Sequence, residues 1–329
     1  MSLSASEKLN EFYSHFTEKD NVLIAINADP DAIASAMAVK RLLWGKVKNV
    51  SISNSNVIKR PDNLAMIRLL SVNLVHINQI DKKKYSRFVI VDSQPNHNDV
   101  FSRFRFNVII DHHPDTNYKA EYEDIRPDYG ATASMMTEYL RAAKIKPSYK
   151  LATALYYAIK TDTSDFERKT LVEDVKAFQF VFRYANMHIA KKIEQAELNF
   201  DFLMYFKRAL ENMKKRKGKI FVHAGIVANP DICVLLADFF MKISYIKWSI
   251  VSGIYNDILV VILRNDGLRK NAGDVAQEAF GNLGSAGGHK SMARAEFPVS
   301  ALKGKLDLTN DEIVLKWIIA RIEKNTKKK

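Results

Sequence analysis

Asn107 to Asp115 reads NVIIDHHPD, and the rest of the chain is best read outward from it. Val108, Ile109 and Ile110 run straight into Asp111, His112, His113 and a proline. A continuous apolar run of this kind is the pattern of a strand buried on both faces, as in a parallel sheet. The C-terminal end of such a strand is where an open α/β sheet presents ligands. An acid and two imidazoles there can serve as metal ligands and proton donors at neutral pH. The plainer alternative is that Asp111 caps a turn and the histidines are surface residues. Three more acidic element ends in the same half of the chain weigh against it.

The first follows Val22 to Ile26, an apolar strand ending in Asn27-Ala28-Asp29-Pro30-Asp31, after which AIASAMAVKRLL has helical spacing. Two carboxylates one residue apart at a strand-to-helix junction are costly unless a cation neutralises them. An Asp N-cap would explain Asp31 but leave Asp29 without a role. The second is Phe88 to Val91, which ends in Asp92-Ser93; the third is a helix from Lys150 to Lys160, closed by Thr161-Asp162-Thr163. With further strands at Val50–Ser53 and Val75–Ile77 and helices between them, the pattern predicts an α/β fold. Its N-terminal part is a mostly parallel sheet with helices on both faces.

Composition narrows the class. The 329 residues suffice for two domains, and the single cysteine, Cys233, excludes a disulfide framework and points to a reducing compartment. No run approaches the ~18 apolar residues of a membrane span, so a soluble, cytoplasmic protein is expected. Fifty Lys+Arg against 37 Asp+Glu leave a net charge of +13, which favours a polyanionic partner or substrate. Lys214 to Lys219 (KKRKGK) and Lys327 to Lys329 contribute to it and read equally well as solvated surface. His15, His76, His97, His188 and His223 have no partner at ligand spacing and are given little functional weight.

From about Asn199 the texture changes. Phe200 to Lys217 reads as a long helix and linker, Lys219 to Ile226 as a strand, and Pro230 to Ile243 as an amphipathic helix. Two strands meet at Tyr255-Asn256-Asp257, the second ending in Arg264; a helix from Asn271 to Phe280 leads into a glycine-rich loop, Gly281 to His289. Consecutive glycines let backbone N–H groups approach a phosphate, with Arg264 and His289 adding charge or hydrogen bonds. By itself such a loop is more often a turn.

The set Asp29-x-Asp31, Asp92, Asp111-His112-His113 and Asp162 resembles the four signature motifs of the DHH phosphoesterase superfamily, in order and approximate spacing. GGHKSMARA resembles the signature of the DHH-associated C-terminal domain. The resemblance implies two divalent metal ions, usually manganese. Asp92 matches the bridging ligand and Asp29 a ligand of the first ion. Asp31, His112 and Asp162 match ligands of the second. His113 matches the histidine facing the substrate phosphate, Asp111 its partner, and Arg264, Gly287, Gly288 and His289 the substrate-binding set. Two departures stand out: Ala25 occupies the place of the family's leading histidine, and Ala286 that of a frequent glycine. Asn27, two residues on, is the nearest substitute ligand.

The expected protein has a metal-binding domain over residues 1–195, a linker helix over 196–217 and a substrate-binding domain over 218–329. The resemblance implies a two-metal phosphoesterase for short oligonucleotides or phosphorylated nucleotides, held across a cleft. It admits single-stranded nucleic acid as a wider partner, no membrane, and a homodimer. An exopolyphosphatase, or a non-catalytic nucleotide-binding protein with a decayed first metal site, is the alternative.

Overall fold

Five consecutive buried residues, Val22 to Ile26, form the middle of the first sheet in the computed structural model, which describes residues 4–167, 170–195, 200–302 and 306–325. The chain divides into two units, Met1–Glu197 and Leu198–Lys329. Unit 1 holds strands β1 (Asn21–Ile26), β2 (Asn49–Asn54), β3 (Leu74–His76), β4 (Arg87–Val91), β5 (Val108–Asp111) and β6 (Tyr122–Ile125). They lie in the order β3-β2-β1-β4-β5-β6, and every neighbouring pair is parallel. The helices are α1 (Ala5–Ser14), α2 (Pro30–Leu42), α3 (Pro61–Leu70), α4 (Thr132–Ala142), α5 (Tyr149–Asp162), α6 (Val172–Phe182) and α7 (Met187–Glu194).

Alternation along β1 explains why it is apolar throughout. Val22, Ile24 and Ile26 join Ile33, Met136 and Leu155 in a core under the α-helices. Leu23 and Ala25 face the opposite way, into a cluster with Ile77, Ile90, Phe101 and Ile109, where short 3-10 turns cover the sheet. The chain runs outward from β1 to β3 and returns at β4. The crevice beyond the C-terminal ends of β1 and β4 is therefore the switch point at which open α/β sheets bind ligands.

Unit 2 contains α8 (Phe202–Asn212), β7 (Lys214–Arg216), β8 (Lys219–Ile226), α9 (Asp231–Met241), β9 (Trp248–Tyr255), β10 (Ile258–Asn265), α10 (Ala272–Phe280), β11 (Ser285–Gly288), β12 (Met292–Pro298) and α11 (Asp311–Asn325). The sheet order is β11-β12-β10-β9-β8-β7, with β8 and β9 the parallel pair. Val222, Val260 and Ile262 pack with Leu236 and Phe240 of α9; Val261 and Leu263 pack with Phe280 and Ile318 on the other face.

Two segments differ from the sequence reading. The helix expected to reach residue 217 stops at Asn212, and Lys214–Arg216 turn back on β8 as an edge strand. Lys217 and Gly218 carry φ values of +48° and +74°, the left-handed pair that a tight hairpin turn requires. The glycine-rich stretch is likewise only partly a loop, because Ser285–Gly288 pair antiparallel with β12. Asn199 and Lys327 to Lys329 lie outside the described residues.

Candidate metal centre

The Asp-Pro-Asp junction is resolved by its proline. Pro30 takes the first helical position of α2, which makes Asp29 the N-cap; its carboxylate accepts the Ala32 N–H at 2.9 Å. Asp29, not Asp31, is thus the cap. Asp31 is 2% exposed and turns toward the start of α4, where it accepts the N–H groups of Thr132 and Ala133, both at 2.7 Å. Ala131 gives α4 no side-chain cap, so an acid from another helix satisfies its open donors.

Asp92 follows β4 with φ at +55°, a left-handed conformation that a non-glycine residue adopts at a cost. Its N–H donates to the Ile110 carbonyl at 2.9 Å, and its carboxylate accepts the Thr132 hydroxyl at 2.8 Å. After β5, His112 donates its Nδ1–H to the Tyr129 carbonyl at 3.1 Å, which turns Nε2 toward the acids. Around Nε2 stand Asp162 at 3.2 Å, Asp92 at 3.5 Å and Asp31 at 3.9 Å. Asp162 reaches there as the last residue of α5. Four residues from three strand or helix ends and the first turn of α2 thus face one point.

That convergence is expensive without a cation. Burial pushes the carboxyls of Asp31 and Asp92 well above the usual range, and neighbouring carboxylates push them further. Asp29 is raised chiefly by burial as well, against the pull of its Ala32 hydrogen bond. Three carboxylates and one imidazole nitrogen are an oxygen-rich donor set that suits a hard or borderline divalent cation. The residues present fit one.

Beside this point lies a second constellation. His113 donates Nδ1–H to Asp111 at 2.8 Å, and the other Asp111 oxygen accepts from Gln94 at 2.7 Å. Gln94 is fully buried; it also donates to the Pro114 carbonyl and accepts from the Thr116 N–H and hydroxyl. Burial opposes charge on Asp111, but the bonds from His113 and Gln94 outweigh it and hold its carboxyl below the ordinary value. Burial likewise opposes charge on His113, and the Asp111 bond with the surrounding carboxylates raises it nonetheless. His97 packs edge-on against His113 with ring centroids 5.5 Å apart, and its Nδ1 accepts the Gln94 N–H. His97, Asp111 and His113 bring their polar atoms within 4.8 Å of one another. Sequence spacing gives His97 little weight, and it misses Gln94 and Thr132 altogether.

Ala25 is fully buried in the apolar cluster opposite the helices, in register with Ser53 and Ile90. Asn27 is exposed, and its amide oxygen accepts the Ser55 hydroxyl at 3.2 Å.

In unit 2 the expected substrate residues are not gathered. Arg264 lies on the α9 side of its strand and donates to Asp238 at 2.6 Å. Gly288 and His289 sit against α10 instead, with the His289 carbonyl accepting the Gly273 N–H. Gly288 has φ at +148°, and an added Cβ would fall 2.4 Å from the Met292 carbonyl oxygen, so only glycine fits. Gly287 opens to free space. That turn closes a basic rim at one end of the sheet, formed by Lys217, Lys219, Lys247, Arg269, Lys270 and Lys290. Backbone bonds from Lys247 to Gly218, from Asp266 to Lys247 and from Ala272 to Lys290 tie its loops together. Burial holds the Lys219 ammonium below its usual range, and the charges of Lys270 and Lys217 add to that.

Similarity to known proteins agrees with this geometry. An uncharacterized protein of Methanocaldococcus jannaschii is 36% identical over 289 residues, 87% of this chain and 59% of the relative. One of Mycoplasma genitalium is 28% identical over 167 residues, 49% of this chain and 48% of the relative. The chain thus spans only about half to three fifths of the length of these relatives. A crystal structure of an exopolyphosphatase-related protein from Bacteroides fragilis covers 99% of this chain and 98% of its own, with a TM-score of 0.75 and 16% identity, a likeness of fold. Residues 21–159 match the model of the DHH family N-terminal domain, the stretch that carries every residue around His112 Nε2 except Asp162. Within unit 1, residues 21–159 therefore carry a stretch similar to the DHH family N-terminal domain.

Proposed function

We propose that this protein is a metal-dependent phosphoesterase that hydrolyses phosphoester bonds of short oligonucleotides or phosphorylated nucleotides with two divalent ions, manganese the first to test. The observation that carries the reading is the ring of Asp31, Asp92 and Asp162 around Nε2 of His112. Asp31, Asp92, His112 and Asp162 would hold one ion; Asp29 and Asp92 would hold the other. Bound divalent ions supply an activated water and polarise a phosphoryl oxygen.

The chain's own residues do the rest. Tyr129 fixes the His112 tautomer, and Thr132 orients Asp92 through its hydroxyl. His113, with Nδ1 held by Asp111, would donate from Nε2 when protonated to a phosphoryl or leaving-group oxygen. The Asp111 hydrogen bond and the surrounding carboxylates raise the His113 imidazole against its burial, which favours the protonated form that donates. The basic rim with its Gly-Gly-His turn supports a polyanionic substrate and a binding role for unit 2. Inorganic polyphosphate carries the same charge without a base and is the competing substrate.

The test is a manganese-dependent hydrolysis screen with short RNA, a cyclic dinucleotide and polyphosphate, run beside Asp92→Ala. Turnover of a nucleotide substrate that disappears in Asp92→Ala is expected. Near-wild-type turnover in the variant would refute the two-metal assignment, and turnover of polyphosphate alone would change the substrate class.

A further inference from the structure

Asp174, in the first turn of α6, is a fully buried acid outside the ring around His112. Its Oδ2 accepts two backbone donors, the Leu171 N–H at 2.8 Å and the Gly130 N–H at 3.0 Å. The first bond caps the start of its own helix. The second reaches across to the turn that precedes α4. Among the described residues, Oδ1 has no hydrogen-bond partner although it is buried. Capping needs only a half-exposed acid, and burying the whole carboxyl with one oxygen unsatisfied costs stability.

What the second bond achieves follows from the geometry of the peptide unit. The Gly130 N–H and the Tyr129 carbonyl belong to one planar trans peptide and point in opposite directions. With the N–H on Asp174, the carbonyl faces His112 and accepts its Nδ1–H at 3.1 Å. Half a turn of that peptide would withdraw the carbonyl from His112 and set it, oxygen against oxygen, on the Asp174 carboxyl. Such a turn is easiest when glycine follows the carbonyl. Packing imposes a glycine here, because an added Cβ would fall 2.7 Å from Thr163 Cγ2 and 3.2 Å from Asp174 Oδ2. The support of His112 is therefore a peptide that can turn, and a buried acid holds it.

The flanking contacts fix other things. The Tyr129 hydroxyl donates to Glu138 at 2.7 Å and accepts from Arg126 at 3.1 Å, which places the ring. The N–H groups of Thr132 and Ala133 meet Asp31, which places the start of α4. The plane of the Tyr129–Gly130 peptide is set between them, by Asp174.

We propose that Asp174 is a positioning residue of the metal centre: by holding the Gly130 N–H it locks the Tyr129–Gly130 peptide in the orientation that turns His112 Nε2 toward Asp31, Asp92 and Asp162. This role rests on the centre proposed for unit 1, and it requires no contact between Asp174 and metal or substrate.

Calorimetric titration of the full chain with manganese, with urea unfolding alongside, tests it. Asp174→Ala should weaken the tighter step by about tenfold or more, as loss of a residue that orients a ligand does. Asp174→Asn keeps an acceptor for both N–H groups but drops the charge. It should hold the affinity to within about threefold even where it unfolds earlier, since the orienting bonds remain. Asn186→Ala removes the side-chain cap of α7 and should lower stability without moving the affinity. In the metal-free protein with ¹⁵N-histidine, the His112 Nδ1 proton should exchange slowly in the wild type and Asp174→Asn. In Asp174→Ala it should be lost to solvent exchange. If Asp174→Ala does not fold, Asp174→Leu, which fills the space without an acceptor, takes its place in both measurements. Unchanged affinity and ring signal in the variant that lacks an acceptor would overturn the inference. So would an equal loss in Asp174→Asn, which would assign the effect to charge alone. A wild type that binds no manganese would refute the metal centre instead, and the His112 proton would then decide whether Asp174 orients the ring.

Discussion

Gln94→Glu changes two donated hydrogens into a carboxylate at the point where the molecule is least able to accept one. Gln94 Nε2 donates to Asp111 at 2.7 Å and to the Pro114 carbonyl at 3.0 Å, while its oxygen accepts from Thr116. The substitution keeps the shape and the acceptor side, so the loss falls on the two donated bonds. A bond to a charged group contributes roughly 1.5–3 kcal/mol and a neutral one roughly 0.5–1.5. The expected loss near pH 7 is therefore about 2–4.5 kcal/mol, or roughly 4–18 °C in the unfolding midpoint of unit 1. The loss also has a definite pH dependence. The introduced carboxyl would be raised in the folded state by burial and by the Asp111 charge, so a shared proton restores a donor. A raised folded pKa means that the variant is least impaired below the unfolded Glu value of about 4.3 and more impaired as pH rises through the folded value. The wild type moves the other way: Asp111 is depressed, and its contribution, present above the unfolded Asp value of about 3.9, is lost as pH falls. The two curves should converge in acid. Urea unfolding of both proteins from about pH 3.5 to 8 brackets these values. A gap that is absent at pH 7, or constant across the range, would show that Gln94 does not carry Asp111.

Manganese should stabilise unit 1, by about 2.7 kcal/mol at a free concentration one hundred times its Kd, and Asp162→Asn should reduce the effect; thermal unfolding with and without the ion measures it, and an unchanged midpoint in the wild type counts against the site. A manganese titration should show two steps, with hydrolysis following the weaker, because Ala25 and the Ser55-bound Asn27 leave the Asp29 side with fewer donors. Two equally tight steps, followed by calorimetry, would refute that asymmetry. Ala25→His should destabilise unit 1 by roughly 1–3 kcal/mol and leave the weaker step where it is, because the imidazole enters a packed apolar cluster; a tighter second step, seen in the same titration, would show room that the packing denies. Gly288→Ala should lower the stability of unit 2 by more than about 1 kcal/mol in urea, given its φ and the nearby Met292 carbonyl, and an unaffected midpoint would mean that the turn relaxes freely.

Much of the centre was legible because its strands are buried on both faces. Runs such as Val108-Ile109-Ile110 have no polar position until the last residue of the strand, so the first acid marks the strand end. The helix cap was misread: the sequence pointed to Asp31, whereas Pro30 at the first helical position puts the cap on Asp29. Gln94 and His97 were not legible. Their roles depend on the turn after β4 meeting the segment Pro114–Thr116, a contact without a spacing rule. Nor could the sequence reveal that His112 leans on a backbone carbonyl, since any residue at 129 presents one. In unit 2, β11 escaped because Ser285-Ala286-Gly287-Gly288 has no side-chain period from which to read a strand.

Position 25 links the sheet to the chemistry. On β1 the even-numbered residues Val22, Ile24 and Ile26 face the helical core, while Leu23 and Ala25 face the side covered by Phe101 and the short turns. Ile90 of β4 and Ile109 of β5 belong to the same apolar cluster as Ala25, so the methyl there completes a layer across three adjacent strands. A polar ring in that layer needs partners, and the neighbours in register, Ser53 and Ile90, offer one hydroxyl between them. The alanine is therefore coupled to packing that continues well away from the site. The other side of the centre is built without reference to it: Asp31 is held by the start of α4, Asp92 by Thr132, and His112 by Tyr129. An alanine at position 25 leaves those three supports intact, which is why the acids are clustered and desolvated around His112 without an imidazole from β1.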